Sequence, residues 1–396
     1  MSEAVIVSAV RTPIGRANKG ALKDVRADDL AAIAVKAAVE RVPQLDRSLI
    51  EDVILGCAFP EGEQGMNLAR LVGALAGLPE TAGGVTVNRF CASSLQAVNM
   101  AAQNIMLGLG DIIVAGGIES MSRVPMGGFN PSFNPRLVKD SAQNTSPYPP
   151  CELEYGYSSY IPMGMTAENL ARQYQISREE QDAFALRSHQ RAITATDSGI
   201  FKREIVPVTL PNGRVMEIDE GPRRDTSLEK LATLEPAFIK GGTVTAGNSS
   251  PLNDGASAVV LMSATKAREL DITPLARIHT MAVAGVDPAY MGIGPVPAIR
   301  KLLQRASMQL SDIDIIEINE AFAAQTLSVA RVLEIDQEKL NPHGGAIALG
   351  HPLGCSGARL IATLLNDLQT HDKTFGIASL CVGGGQGVAT LIERMA

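Results

Sequence analysis

Two stretches of the chain, DVILGCA at residues 52–58 and DIIEINE at residues 314–320, repeat one pattern at an offset of 262 residues. Each begins with an aspartate, continues through aliphatic residues and follows an amphipathic helical pattern. The same offset aligns DIIVAG at residues 111–116 with KTFGIA at residues 373–378. Ungapped self-similarity of alternating strand and helix patterns is typical of a duplicated layered unit. The sequence therefore predicts an α/β fold built from two similar layered α/β/α domains.

The segment between the two repeats differs in composition from both of them. Residues 123–245 are first rich in Pro, Ser, Asn and Tyr, then carry a charged helical pattern, and end basic and rich in turn residues. A connection this long is not a bare loop in a compact protein. We therefore predict an inserted loop domain at 123–245, an N-terminal half at 1–122 and 246–270, and a C-terminal half at 271–396.

Cys91 falls where the first repeat passes from a strand pattern to a helix pattern. Residues 84–87 (GVTV) are β-branched and bounded by glycine, which predicts a buried strand. Residues 93–107 place apolar side chains at helical spacing. The positive end of a helix dipole favours the thiolate, which is the nucleophilic form of cysteine. A lone cysteine is more often a buried structural residue, so this interpretation depends on its companions.

Two further residues with suitable chemistry lie in glycine-dense sequence near the end of the chain. His351 ends GGAIALGH at residues 344–351, and Cys381 begins CVGGG at residues 381–385. Glycine lets the backbone approach a ligand closely and turn its N–H groups towards it. Imidazole titrates near neutrality, which suits a base for a thiol. Two thiols and one imidazole in such settings predict covalent thiol chemistry with proton transfer.

The other cysteines and one further histidine have less telling surroundings. Cys57, Cys151 and Cys355 lie outside both helix-start and polyglycine sequence, so we predict that they are structural. His343, in NPHG, is left as either a supporting residue or a pocket residue.

Composition excludes several classes of function. The chain has 396 residues, of which 45% are hydrophobic, and no apolar run approaches the roughly 18 residues that span a bilayer. A net charge of −7 disfavours nucleic-acid binding. Five cysteines, an odd number, without a basic and apolar leader predict a reducing, cytoplasmic location. No dinucleotide-binding glycine motif follows the first strand. We expect no metal and no bound cofactor.

The chain resembles the thiolase family almost from end to end. Besides the two C-terminal glycine-rich blocks, the matching blocks are VSAVRTPIG (7–15), NRFCAS (88–93), GGIESMS (116–122), GNSSPLNDGA (247–256) and NEAFA (319–323). Five blocks in the family's order and spacing are far more specific than one cysteine motif. One departure is Ser94, which stands where thiolases usually have glycine, and it puts the packing of the helix start in question.

The resemblance implies a reaction and a role for each site residue. Cys91 would take the acyl group of a 3-ketoacyl-CoA and pass it to CoA, with His351 as its base. Cys381 would exchange a proton with the acetyl-CoA enolate. One oxyanion would be held by His351 and a water bound to Asn319, and the other by the backbone N–H groups of Cys91 and Gly383. Helix capping is a second interpretation of Asn319. CoA would be a co-substrate.

The resemblance also implies contacts with CoA and an assembly. Ser250 would touch the pantetheine arm, Arg223 the nucleotide end, and Phe238 and Met163 would line the channel, while Arg223 alone could equally be part of a solvated turn. The partners expected are acyl-CoA and CoA, without nucleic acid or a membrane span. The expected assembly is a homodimer or homotetramer, alone or within a β-oxidation complex.

Several functions stay open at this point. The sequence PMG at residues 162–164 replaces the HMG of short-chain thiolases and favours degradative 3-ketoacyl-CoA cleavage. The alternatives are acetoacetyl-CoA synthesis with the same residues, malonyl-dependent condensation by a ketoacyl synthase, and non-catalytic acyl-CoA or lipid binding. Cys381 argues against the ketoacyl synthase, and the four residues Cys91, Asn319, His351 and Cys381 together argue against simple binding.

Overall fold

The computed structural model describes residues 2–137 and 159–395. The helices are α1 (Ala27–Glu40), α2 (Leu68–Leu75), α3 (Ser93–Met106), α4 (Met163–Gln173), α5 (Arg178–Asp197), α6 (Leu228–Ala232), α7 (Ala264–Glu269), α8 (Pro295–Ala306), α9 (Ala323–Leu333), α10 (Ala346–Leu349) and α11 (Ser356–Thr370). The strands are β1 (Ala4–Arg11), β2 (Gly15–Arg16), β3 (Asp52–Gly56), β4 (Val85–Val87), β5 (Ile112–Ser120), β6 (Val208–Thr209), β7 (Val215–Met216), β8 (Asn253–Ser263), β9 (Ala276–Gly285), β10 (Ile315–Ile318), β11 (Phe375–Val382) and β12 (Gln386–Arg394).

The two halves have matching sheets that meet edge to edge. The first half has the order β4-β3-β5-β8-β1 and the second has β10-β11-β12-β9. β3 pairs in parallel with β4 and β5, and β10 pairs in parallel with β11, whereas β8 and β12 run antiparallel to their neighbours. A short pairing of β1 with β9, at Val5↔Arg277 and Ile6↔Ala276, joins the two sheets. The predicted duplicated α/β architecture is confirmed.

The helices form layers around these sheets. α1 and α2 cover the outer face of the first sheet, and α8 and α9 cover the outer face of the second. α3 and α11 pack together between the two sheets in one shared core cluster. Their backbones approach so closely that a Cβ on Gly357 would lie 2.4 Å from the backbone nitrogen of Leu95. This central layer brings the N-terminal ends of α3 and α11, and therefore the loops before them, to one place.

The two halves differ in secondary structure at one repeated element. At the offset of 262, β4 aligns with residues 347–349, which belong to the helical turn α10 instead of a strand. β4 itself lies at the end of the sheet, and Val85 is 38% exposed. The prediction of a buried strand is therefore wrong, because β-branched composition does not distinguish an edge strand from a central one.

The inserted segment adds helices and a small hairpin to the first half. It contains α4, α5, α6 and the β6–β7 pair, and the chain returns to the first sheet through β8. The bounds 123–245 stay a prediction. No helix in the described part of the chain is long and apolar enough to cross a membrane.

Candidate active site

The turn before α3 holds Cys91 in a conformation that local side chains fix. Phe90 has φ of +43°, a left-handed value that is unusual for an aromatic residue. Asn88 Oδ1 accepts a hydrogen bond from the Phe90 N–H at 2.8 Å, and the Ser93 hydroxyl donates to the Phe90 carbonyl at 2.7 Å. The Arg89 N–H donates to the same hydroxyl at 2.9 Å. These bonds offset the strain and present the Cys91 side chain in one orientation.

Cys91 rests as a thiol. Burial raises its pKa to about 11, and hydrogen bonds from the backbone N–H groups of Gly383 and Cys91 itself lower the pKa only in part. The prediction that the helix start favours the thiolate is therefore wrong for the unliganded site, because desolvation outweighs the hydrogen bonds from the two backbone N–H groups. Cys91 needs a base to become a nucleophile.

Cys381 and Gly383 lie beside Cys91 at the end of β11. Cys381 is fully buried, and its pKa is well above the usual range because of burial and the neighbouring Cys91 thiol. A Cβ added to Gly383 would lie 3.6 Å from Met163 Sδ and 3.7 Å from the ring of Phe90. The fold thus brings four of the predicted site residues, Cys91, Cys381, Gly383 and Met163, into one cluster.

His351 is held as a neutral imidazole. Its Nδ1 lies 2.6 Å from Ser356 Oγ, and that hydroxyl donates to the Pro352 carbonyl at 2.8 Å. Because the hydroxyl hydrogen is used in this way, Nδ1–H donates to Ser356 and Nε2 keeps its lone pair. Burial, followed by the charge of Arg359, lowers the pKa of His351 to about 3. Sequence reasoning missed Ser356 and Arg359, although both follow closely in the same GHPLGCSGAR block.

Asn319 connects His351 to the end of β10. Its Nδ2 lies 3.3 Å from His351 Nε2, to which it can donate. Its backbone N–H donates to the Ser379 carbonyl at 3.0 Å, which fixes it between β10 and β11. Helix capping is wrong as an interpretation, because α9 begins at Ala323 after the cap residue Phe322. Asn319 Oδ1 is buried without a partner among the described residues, so a water or substrate group would satisfy it.

The remaining described thiols and His343 are buried within contacts of the fold. Cys355 is the cap residue of α11, so the prediction that it lies outside helix-start sequence is wrong. Cys57 Sγ lies 3.7 Å from Glu119 Oε1, and the Cys355 carbonyl accepts a hydrogen bond from Ser257. His343 is hydrogen bonded through Nδ1 to Asp367 and stacks on His371 with 5.2 Å between ring centres. Cys151 lies outside the described residues.

Ser94, the departure from the thiolase pattern, joins the two central helices. Its buried hydroxyl accepts a hydrogen bond from the Ala358 N–H at 3.0 Å. Ala358 is the third residue of α11, so its N–H has no partner within the helix. Space for the side chain comes from Gly117, where an added Cβ would lie 2.8 Å from Ser94 Cβ. The serine therefore fits its place and caps the helix that follows His351.

We expect Ser94→Ala to lower the free energy of unfolding by about 1–2 kcal/mol, the usual cost of losing a helix cap. Urea denaturation with an unchanged m-value would measure the shift in midpoint. A midpoint equal to that of the unchanged protein would show that the bond to Ala358 does not contribute.

A basic cavity lies between the inserted segment and both halves. It has a volume of about 570 Å³ and is lined by Arg16, Lys19, Arg223 and Lys230, with Ser249 among its other residues. Asp225 also lines it and pairs with Lys230 at 3.0 Å, which leaves Arg16, Lys19 and Arg223 in excess. Sequence reasoning named Arg223 but missed the other three cations, which are scattered through unrelated loops. A concentration of positive charge on an acidic protein suits a polyanionic ligand.

The other residues predicted to bind CoA each contact a neighbouring residue of the protein. The Ser250 hydroxyl donates to the Ala321 carbonyl at 3.1 Å. Phe238 is 43% exposed and packs edge-on against Phe322 with 6.0 Å between ring centres. A Cβ on Gly164 would lie 2.3 Å from the Phe238 ring, so this glycine allows the ring to lie next to Met163 at the start of α4.

Comparisons with known proteins agree over the full chain. The N-terminal domain of thiolase matches residues 4–265, and the C-terminal domain of thiolase matches residues 272–394. A 3-ketoacyl-CoA thiolase of Bacillus subtilis (strain 168) is 49% identical over 405 residues, which cover 99% of this chain and 100% of that protein.

Solved structures give the same result. An acetyl-CoA acetyltransferase of Bacillus anthracis has a TM-score of 0.89 at 45% identity and covers 100% of this chain and 99% of its own. Human mitochondrial 3-ketoacyl-CoA thiolase in complex with CoA has a TM-score of 0.88 at 41% identity, and the match covers 100% of this chain and 98% of that chain. The duplicated fold, the two thiols and the matched domains lead to one conclusion: the chain belongs to the thiolase family.

Proposed function

We propose that the protein is a 3-ketoacyl-CoA thiolase, an acyltransferase that cleaves 3-ketoacyl-CoA with CoA to acyl-CoA and acetyl-CoA. The observation that carries this proposal is that two buried thiols, Cys91 and Cys381, are close enough for Cys91 to raise the pKa of Cys381, while the Gly383 N–H lowers the pKa of Cys91. One thiol is needed for covalent transfer and a second acid for protonation at carbon. The names of the relatives from Bacillus subtilis and human mitochondria support the same reaction.

Acylation begins with proton transfer from Cys91 to His351 Nε2. The resulting thiolate attacks the 3-keto carbon, and the keto oxygen becomes an oxyanion. N–H groups of the site stabilise this oxyanion through hydrogen bonds. The C2–C3 bond then breaks, leaving an acyl thioester on Cys91 and the enolate of acetyl-CoA. The Cys381 thiol protonates C2 of this enolate and becomes a thiolate. The neutral state of His351, with Nδ1–H directed at Ser356, supports its role as the base.

Deacylation reverses these proton movements. CoA gives its thiol proton to the Cys381 thiolate and attacks the acyl thioester. The second oxyanion lies near the backbone N–H groups of Cys91 and Gly383, a role supported by the lowering of the Cys91 pKa by both groups. Cys91 leaves as a thiolate and regains its proton from His351. Each residue is thereby returned to its starting protonation state.

CoA is proposed to occupy the basic cavity, with its phosphates near Arg223. We expect Arg223→Ala to raise KM for CoA several-fold, or roughly 1 kcal/mol as for a solvent-exposed charge contact, with little change in kcat. KM of the unchanged protein should rise more steeply with ionic strength than KM of the variant. Ser250, Phe238 and Met163 are proposed for the pantetheine arm and the channel.

Arg224→Ala is the matched control for Arg223→Ala. Arg224 is also exposed but pairs with Asp197 instead of lining the cavity. KM should be measured against ionic strength for the Arg223 variant, the Arg224 variant and the unchanged protein. If all three show the same salt dependence, Arg223 does not contact the CoA phosphates and is a solvated turn residue.

Chain-length preference separates the degradative proposal from the synthetic one. The likeness to an acetyl-CoA acetyltransferase at 45% identity keeps acetoacetyl-CoA chemistry as the second candidate. Turnover should be compared on C4 and on C8–C16 3-ketoacyl-CoA substrates. Activity on the longer chains supports the degradative function, and activity confined to C4 would replace it with the acetoacetyl-CoA function.

The assembly is proposed to be a homodimer or homotetramer in the cytoplasm, alone or within a β-oxidation complex. The edge strand β4 and the exposed leucines Leu71 and Leu75 of the adjoining α2 support a contact between subunits at this edge. Free thiols at Cys57 and Cys355 support a reducing compartment. Light scattering that gives the mass of one chain would contradict the proposed assembly.

A further inference from the structure

Arg89, two residues before the nucleophile, links the two halves of the molecule. Its Nε donates to Gln96 Oε1 on α3 at 2.9 Å, and its Nη1 donates to Gln386 Oε1 at the start of β12 at 2.6 Å. Both acceptors are amide oxygens, and a charged donor makes stronger hydrogen bonds to them than a neutral donor would. The planar guanidinium fixes the direction of both bonds at once. One side chain therefore ties the Cys91 turn to the β11–β12 hairpin.

The β11–β12 turn cannot hold its own position through side chains. Residues 383–385 are all glycine, and Gly384 and Gly385 have φ values of +78° and +83°. Gln386 pairs with Val382 across the mouth of this hairpin and is the first residue after the turn that has a side chain. Arg89 thus contacts the hairpin immediately next to the segment that carries Gly383.

The bond between Arg89 and Gln386 joins two segments that each carry a backbone N–H donor of the site, Cys91 and Gly383. The N–H groups of Gly383 and Cys91, one from each half of the molecule, both lower the pKa of the Cys91 thiol. Gly383 lies against the Cys91 turn, because a Cβ added to it would be 3.7 Å from the ring of Phe90. A misplacement of about 1 Å in a catalytic site can cost about 100-fold in rate. Movement of the glycine hairpin relative to the Cys91 turn would separate the donors without unfolding either half.

We propose that Arg89 is a positioning residue that holds the Gly383 N–H in alignment with the Cys91 N–H through its bond to Gln386. This proposal rests on the proposed thiolase function for its kinetic consequences, but the geometry on which it depends is independent of the substrate. Arg89 itself needs no contact with the substrate.

Arg89→Ala, Gln386→Ala and the double variant form the central test. We expect each single variant to lower kcat for thiolysis by about 10- to 100-fold with KM changed by less than about threefold, because donor alignment matters most in the transition state. The double variant should be no slower than the slower single variant, since both changes break one contact. Arg89→Lys should recover part of the loss, because an ammonium can reach one of the two amide oxygens.

Arg277→Ala is the matched control. Arg277 holds Glu393 at 2.7 Å on the far end of the same β9–β12 ladder, where Gln386 pairs with Gly285 at the near end. The control should lose thermal stability while keeping kcat. Additive losses in the double variant, or an Arg89→Ala variant with reduced thermal stability and normal kcat, would overturn the positioning role.

Alkylation of Cys91 by iodoacetamide provides a readout that does not need the thiolase reaction. The charged and titratable groups near this thiol are Cys381, Glu119 and Arg89, with His351 as the proposed base, and Gln386→Ala leaves all four in place. Loss of alignment of the Gly383 N–H should move the pH midpoint of Cys91 alkylation upwards. An unchanged midpoint would overturn the proposal, whereas a shifted midpoint in a protein without thiolytic activity would reject the proposed function alone.

Discussion

Replacing Cys91 by alanine is expected to abolish acyl transfer, with kcat reduced by more than about 10⁴-fold, as when the nucleophile of a covalent mechanism is removed. Cys381 should not take its place, because it lies in β11 and is assigned a different step. Modification by a low excess of iodoacetamide should be lost from the Cys91 peptide in the same variant. Steady-state thiolysis and peptide mass mapping measure both effects.

Cys57→Ser is the control for the Cys91 variant. Cys57 is also buried, and a serine hydroxyl can keep the contact that its thiol makes with Glu119. This control should keep its activity. Thiolysis by Cys91→Ala within about tenfold of the unchanged protein would contradict covalent catalysis at this residue.

Replacing Cys381 by alanine is expected to separate the two half-reactions. Cleavage of the carbon–carbon bond and exchange of the α-protons should fall by about 10²–10⁴-fold, the usual contribution of a general acid or base. Cys91 should still be acylated by, and return its acyl group to, a simple acyl-CoA, since in that exchange Cys381 gives up no proton to carbon and His351 can carry the proton between Cys91 and the CoA thiol. Isotope exchange from labelled CoA and deuterium exchange into acetyl-CoA measure the two steps separately.

Near-normal cleavage by Cys381→Ala would make this thiol structural. Equal loss of acyl exchange and of cleavage would contradict the assigned role in a different way, because it would indicate damage to the Cys91 site. The burial of Cys381 and its closeness to Cys91 favour separation of the two activities.

The sequence predicted the duplicated fold because each repeat has a local pattern of strands and helices that survives in the structure. It placed the end of α3 within a residue of its observed bound and singled out Cys91, His351 and Cys381 as candidates from their glycine-rich or helix-start settings. The sequence did not reveal that β4 is partly exposed, because the exposure of an edge strand depends on what packs beside it. The same is true of the helical turn α10, which replaces β4 in the second half.

The pKa of Cys91 and several supporting contacts depend on tertiary structure that no local pattern encodes. The helix start predicted a thiolate, but burial by residues distant in sequence keeps the sulfur protonated. The bond from Ala358 to Ser94 and the bond from Arg89 to Gln386 each join the two halves. Neither contact leaves a spacing signal in the chain, since its partners are brought together only when the central helices pack.

Intact-protein mass spectrometry after brief mixing with a 3-ketoacyl-CoA tests the central claim, covalent acyl transfer through Cys91. The proposed mechanism predicts one adduct with the mass of the shortened acyl group, located on the Cys91 peptide. Addition of CoA should remove the adduct and release the corresponding acyl-CoA. Turnover of the substrate without any acyl adduct on Cys91, with rapid quenching at times shorter than one catalytic cycle, would contradict the mechanism.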